Sequence, residues 1–158
     1  MKKILLGLLA LGLIVIPAYA SKGMNKKANN GIVRVKSAFS VSETTERFES
    51  VAQQQGLKIV AKIDHAAGAK SINQELRPTQ LIIFGNPATG TPLMQCNQTV
   101  GIDLPQKALI WQDEQGQVWF GYNSPKYLMA RHQLKGCGEE AIQKIDNALS
   151  MLAQKVTQ

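Results

Sequence analysis

The chain has 158 residues, two cysteines, and 18 Lys and Arg against 11 Asp and Glu, for a formal net charge of +7. That length suits a single domain around one core. The positive charge is spread along the chain rather than gathered into a stripe, so no nucleic-acid partner is indicated.

Lys2 and Lys3 are followed by an uninterrupted apolar run from Ile4 to Ile16, and then by Ala18-Tyr19-Ala20, a small-x-small signal before Ser21. Residues 1–20 are therefore predicted to be a cleaved signal peptide, and the protein to be exported to a periplasm or secreted. The apolar run is shorter than the roughly 20 residues that cross a bilayer, and no later one is longer, so no stable membrane anchor is expected after cleavage. No cysteine stands just after Ala20, so a lipid anchor is not indicated either. Residues 21–31, rich in Ser, Gly, Asn and Lys, have the composition of a flexible leader.

From residue 32 onward the chain has the pattern of a single domain. Ile32-Val33-Arg34-Val35-Lys36 alternates as a strand. Ser40 and Glu43 form a capping box for a helix whose apolar stripe is Val41, Phe48, Val51 and Ala52, with Gly56 as its left-handed end. The strand from Leu57 to Ile63 is expected to place Leu57, Ile59, Ala61 and Ile63 on one face, with Lys58 and Lys62 on the other. Asp64 then caps a short Ala-rich helix.

Leu81-Ile82-Ile83-Phe84, entered after Pro78 and left at Gly85, is the pattern of a mid-sheet strand buried on both faces. Thr91-Pro92 is expected to start the next helix, carrying Leu93, Cys96 and Val100 and closed by Gly101. The Gly85–Gly90 loop would then aim backbone N–H groups at a helix N-terminus, where a small anion or polar ligand can bind, or would simply be a tight connection. Ala108–Gln112 and Gln117–Tyr122 form a hairpin about Asp113-Glu114-Gln115-Gly116, rich in aromatic residues. Ser124-Pro125 starts a short helix, and Ile142, Ile145, Leu149, Leu152 and Val156 mark a long final one. The order of elements predicts an α+β, two-layer sandwich: one five-stranded, antiparallel-rich sheet with helices packed on one face. Were Trp111 or Trp119 to lie on the uncovered face, a second subunit would be its simplest cover.

Three blocks, 61–71, 76–94 and 102–132, together resemble the domain of unknown function 302 family in order and spacing. The resemblance implies an α+β fold with an antiparallel-rich sheet and a tendency to form homodimers, with no established activity. It marks Asp64, His65, Asn86, Pro87, Thr91, Leu104, Pro105, Tyr122 and Asn123, and assigns none of them a catalytic role.

Chemistry-bearing candidates are few. Asp64, His65 and Asn86 stand where strands end and could meet above the sheet, giving with Thr91 a pocket for a small ligand or a partner protein. Asp64 and His65 are alternatively the minimum kit of a small periplasmic hydrolase or isomerase, although each has a plain structural job open to it. No nucleophile elbow, dinucleotide fingerprint or phosphate loop is present, and no cofactor is expected. Met94, Cys96, Met129, His132 and His65 are ligand types found at copper sites, but their spacing matches no ligand loop and no metal is assigned. Cys96 and Cys137 are expected to be joined, Cys96 from the inner face of its helix and Cys137 from between Gly136 and Gly138; the alternative is two separately packed thiols.

Overall fold

The computed structural model describes residues 30–158, so the expected signal peptide and all but the end of the expected leader lie outside the described residues. The elements are β1 (Ile32–Ser37), α1 (Val41–Gln54), β2 (Lys58–Asp64), α2 (His65–Ser71), β3 (Thr79–Gly85), α3 (Pro87–Cys96), a 3-10 turn (Gln98–Ile102), β4 (Gln106–Gln112), β5 (Val118–Asn123), α4 (Pro125–Arg131) and α5 (Glu139–Thr157). All five strands pair antiparallel in the order β1-β5-β4-β3-β2, and the helices pack against that sheet. The expected α+β sandwich is thus the observed one. The apolar run of β3 is interior, but β4 rather than β3 holds the centre and β3 lies next to the edge strand β2.

Ser40 caps α1 by accepting from the Glu43 N–H at 3.1 Å, which leaves Phe48 and Ala52 fully buried against the sheet. Phe48 meets Phe84 edge-on at 4.8 Å between ring centroids and Phe120 at 6.0 Å, so one side chain of α1 touches both β3 and β5. The buried stripe of α5, Ile142, Ile145, Leu149, Leu152 and Val156, lies beside it in the same core. Arg47 joins the two helices: its guanidinium donates to the carbonyls of Lys155 at 3.1 Å and Val156 at 3.3 Å, and lies 3.9 Å over the Phe39 ring. Two buried hydroxyls, Ser37 and Thr44, satisfy each other at 2.7 Å.

β2 departs from the expected alternation. Ile59 pairs with Phe84 but Ala61 pairs with Ile83, so Val60 is a β-bulge and the strand changes face there. Lys62 consequently turns to the helix side, where it pairs with Glu49 of α1, while Ala61 and Ile63 join the open face. The alternation argument assumed an unbroken period of two, and one extra residue reverses every position beyond it.

The register places Trp111 opposite Trp119 on that open face, along with Leu81, Ile83, Leu109, Arg34, Lys36 and Lys107. The two indoles are stacked at 6.4 Å, and Gly121 lies beneath Trp111, where an added Cβ would come within 2.9 Å of the ring.

Cys96 and Cys137 form a disulfide with Cα atoms 5.9 Å apart. It is not buried as expected: Cys96 is half-buried and Cys137 exposed, because the bridge runs along the outside of the end of α3. The close approach needs Gly138, whose Cβ would sit 3.0 Å from Leu93 Cδ2 and 3.1 Å from Leu134 Cβ. Closing a loop with a sequence separation of 41 stabilises the fold by about 4 kcal/mol on the chain-entropy model.

In the β4–β5 turn, Asp113 accepts from the Trp119 indole N–H at 2.7 Å and from the backbone N–H groups of Gln117 at 2.8 Å and Gln115 at 3.0 Å. These bonds, the indole's first, hold its carboxyl below the usual carboxylate value. A carboxyl that binds protons less readily when folded contributes stability that is complete above its unfolded pKa of about 4 and is lost as pH falls through the lower folded value. Asp113→Asn should therefore lower the melting temperature at pH 7 and flatten its decline below about pH 4. Parallel melting curves for the two proteins across that acid range would contradict this role.

Candidate functional site

β3 leaves the sheet at Gly85, and the next helix starts five residues earlier than the Thr91-Pro92 signal suggested. Asn86 is the N-cap and Pro87 the first helical residue, which places Pro92 inside α3. The Asn86 side chain accepts from the Ala88 N–H at 2.9 Å, and its carbonyl accepts from the N–H groups of Thr89 at 3.0 Å and Gly90 at 3.2 Å. Pro87 has no N–H. The donors expected to cradle an anion at this helix start are thus already used. α3 also ends early: Asn97 takes an extended conformation and caps the 3-10 turn, so Val100 and Gly101 lie outside the helix, although Leu93 and Val100 are both fully buried.

Beside this helix start lies a cleft of about 350 Å³, bounded by Lys58 and Val60 of β2, by Gly85 and α3 as far as Met94, by the cis Leu104–Pro105 pair, and by Ile145 of α5. Its walls are mainly apolar, and Lys58 is the one charged residue among those lining it. A smaller cavity of about 100 Å³ shares Gly85, Asn86, Thr89, Gln106 and Ile145 with it and reaches inward to Leu57 and Phe84. Gln106 opens β4 opposite Phe84, on the helix side of the sheet. It is 7% exposed, and neither its Oε1 nor its Nε2 finds a hydrogen-bond partner among the described residues. A buried carboxamide without partners is costly, which makes it the anomalous group of this region.

The expected site residues divide between two places. Asn86 and Thr91 line the cleft. Asp64 pairs with Gln80, whereas Lys58 at the other end of β2 pairs with Gly85, so Asp64 and His65 lie about 13 Å or more along the strand from Val60, the nearest residue of the cleft wall. Asp64 caps α2 by accepting from the Ala67 N–H at 2.9 Å, His65 is exposed, and no hydrogen bond joins the two side chains. Strand direction is the reason: β2 and β3 are antiparallel, so the end of one lies beside the start of the other. The soft-ligand set is dispersed too, with Cys96 held in the disulfide and both ring nitrogens of His132 engaged.

His132 belongs to a cluster that the sequence did not announce. Its Nε2 lies 2.6 Å from Asp103 Oδ2, and its Nδ1 lies 3.2 Å from the Thr99 hydroxyl, which is also 2.8 Å from Asn97 Oδ1. Asn97 Nδ2 donates to the His132 carbonyl at 3.0 Å, and Arg131 Nη1 lies 3.4 Å from Asp103 Oδ1. Carboxylate, imidazole and hydroxyl stand in relay order, but the hydroxyl is shared with Asn97, and neither cavity beside α3 is lined by any of the three. What the cluster does is fasten the 97–103 segment to the end of α4. His132→Ala leaves the Asp103 carboxylate with Arg131 as its remaining side-chain partner, and should cost about 1–3 kcal/mol in chemical denaturation, against less than about 1 for Thr99→Ala. Equal, small losses for both would remove the Asp103–His132 contact from any fastening role.

With this geometry in view, two kinds of relative stand out. The fold resembles the crystal structure of an uncharacterized conserved protein DUF302 from Bacillus stearothermophilus, with a TM-score of 0.72 and 20% identity over 80% of this chain and 98% of that one. Two curated proteins named fluoride-specific ion channel FluC 1, from Brucella suis biovar 1 (strain 1330) and Brucella abortus biovar 1 (strain 9-941), are each 46% identical over 114 residues. Those residues are 72% of this chain but 45% and 42% of the two proteins, so the chain spans less than half the length of these relatives. Among the described residues, no helix is long and apolar enough to cross a membrane. Residues 33–152 match the model of Domain of unknown function DUF302, and the chain belongs to that family.

Proposed function

We propose that this chain is an exported domain that binds a small molecule in the cleft between β2, α3 and the Leu104–Pro105 turn, and that it works as a homodimer. The observation that carries the binding reading is a concave, mostly apolar cleft lined in part by Gln106, a buried residue whose carboxamide has no partner among the described residues. Asn86 and Thr91 belong to this site; Asp64 and His65 do not. Export is supported by the signal-peptide pattern of residues 1–20 and by the Cys96–Cys137 bridge, which persists in oxidising compartments. Ion conduction is not carried over, because the channel name describes proteins more than twice as long as the shared part.

Gly90 offers a way to close the cleft. An added Cβ there meets Leu104 Cδ1 at 3.5 Å, an ordinary contact with no positive φ to strain it, so a larger side chain projects between α3 and the Leu104 wall. Gly90→Leu should fold with an undiminished melting temperature and lose the small molecule that native mass spectrometry finds on the parent protein. Parent protein without any adduct, or an adduct that Gly90→Leu leaves unchanged, would defeat the binding reading.

The homodimer is supported by the open sheet face, where Leu81, Ile83, Leu109 and the stacked Trp111 and Trp119 share a surface that the core helices α1 and α5, on the other side of the sheet, leave uncovered among the described residues. Sedimentation equilibrium should give twice the chain mass, and Leu109→Glu, near the middle of that face, should give the single-chain mass with the fold retained. A monomeric parent at micromolar concentration would end this reading.

A further inference from the structure

We propose that the cleft selects a small, largely apolar molecule whose polar edge is a lactam, an imide or a primary amide, paired with the Gln106 carboxamide. The proposal rests on the binding reading above and adds the chemistry of the ligand. Gln106 holds a donor, Nε2, and an acceptor, Oε1, side by side in one plane; both are covered in the empty protein and neither has a partner among the described residues, so the ligand meets them once the side chain turns into the cleft. A carboxylate offers acceptors alone: it would satisfy Nε2 and set a negative charge against Oε1. An ammonium would do the reverse. A lone ketone or ether would leave one atom of the pair unmet, which keeps much of the penalty of a buried polar group. A cis-amide edge carries N–H and C=O adjacent and coplanar, so it closes two hydrogen bonds with a carboxamide at once.

The surroundings favour a neutral head over a charged one. The start of α3 has no free N–H for an anion, since Asn86 takes those of Ala88, Thr89 and Gly90. Lys58, exposed on β2, is the one charge among the lining residues, and no carboxylate is there to hold a cation. Met94, Leu104, Pro105 and Ile145 supply apolar wall for the body of the ligand. A volume of about 350 Å³ stands at the small end of ligand pockets. An amide held ready for a ligand also weakens the empty protein, because its desolvation is not repaid until the ligand arrives.

The test uses ε-caprolactam, N-methylcaprolactam, which lacks the donor, and cyclohexanecarboxylate, followed on the full chain by the methyl resonances of Met94 and Ile145. Caprolactam should bind saturably and at least about tenfold more tightly than the other two, the scale of one hydrogen bond lost from a desolvated site. Gln106→Leu should erase that preference and raise the melting temperature of the empty protein. Equal binding of all three probes, or a preference that Gln106→Leu leaves intact, overturns the ligand class while leaving the cleft as a binding site. If no probe moves either methyl resonance and native mass spectrometry finds nothing bound, both the class and the underlying binding reading fail. A lower melting temperature for Gln106→Leu, or a structure with ordered water on both amide atoms and no lactam preference, also overturns the proposal.

Discussion

Phe48 is the point at which the helix layer is registered on the sheet. Its ring meets Phe84 of β3 and Phe120 of β5, strands that flank β4, and this triple contact fixes where α1 can lie. Truncating a fully buried aromatic of this kind costs about 3–5 kcal/mol, a large share of a domain's net stability. The position of α5 follows from that of α1. Arg47, one residue before Phe48, holds carbonyls at the end of α5, and Ala38 donates to the Thr157 carbonyl at 3.0 Å, so the long helix cannot slide along its neighbour. Apolar burial supplies the energy of this layer and a few directed bonds supply its register.

The cleft forms where that layer gives out. At the Gly85 and Gln106 end of the sheet the lining comes from α3, the Leu104–Pro105 turn and Ile145 of α5, with no residue of α1 among it. α3 has Leu93 as its one buried residue, so packing alone anchors it weakly. The disulfide from Cys96 and the close passage of Gly138 beneath Leu93 tie its far end to the start of α5. The Asp103–His132 pair fastens the segment that leads on to Leu104 and Pro105. Two walls of the cleft are therefore held by restraints outside it, which lets its lining stay open without losing shape.

Much of this was legible in the sequence. Local signals with short range, Ser40 with Glu43, Asp64, Ser124-Pro125 and the Asp113–Gly116 turn, mark element starts and turns that the structure reproduces. The helix after β3 was misplaced because two proline signals compete within six residues, and Asn86-Pro87 caps as well as Thr91-Pro92 does. Gln106 has a signal in the pattern of its strand. Gln106, Ala108 and Ile110 share one alternation, and a Gln at a core-facing strand position is unusual. Asp103 and His132 gave none, since residues 29 apart meet only after the hairpin and α4 have folded back. The grouping of Asp64 with Asn86 failed for the same reason: both stand at strand ends, but which ends adjoin depends on pairing direction, a property of the sheet and not of the local sequence.

The bulge at Val60 connects the two faces of the molecule. Without it, Lys62 would point to the open face and Ala61 and Ile63 to the helix side, and Glu49 would lose its partner. With it, Ile63 extends the apolar surface of Leu81, Ile83 and Leu109 to the sheet edge, while the side chain of the bulged Val60 becomes part of the cleft wall. A bulge also twists an edge strand and spoils its template for further pairing, which protects an otherwise regular antiparallel edge from adding another chain. One inserted residue thus sets the chemistry of the open face, shapes the mouth of the cleft and closes the edge between them. Any change that restored a regular β2 would alter all three together, so these features of the fold are coupled through one residue of the edge strand.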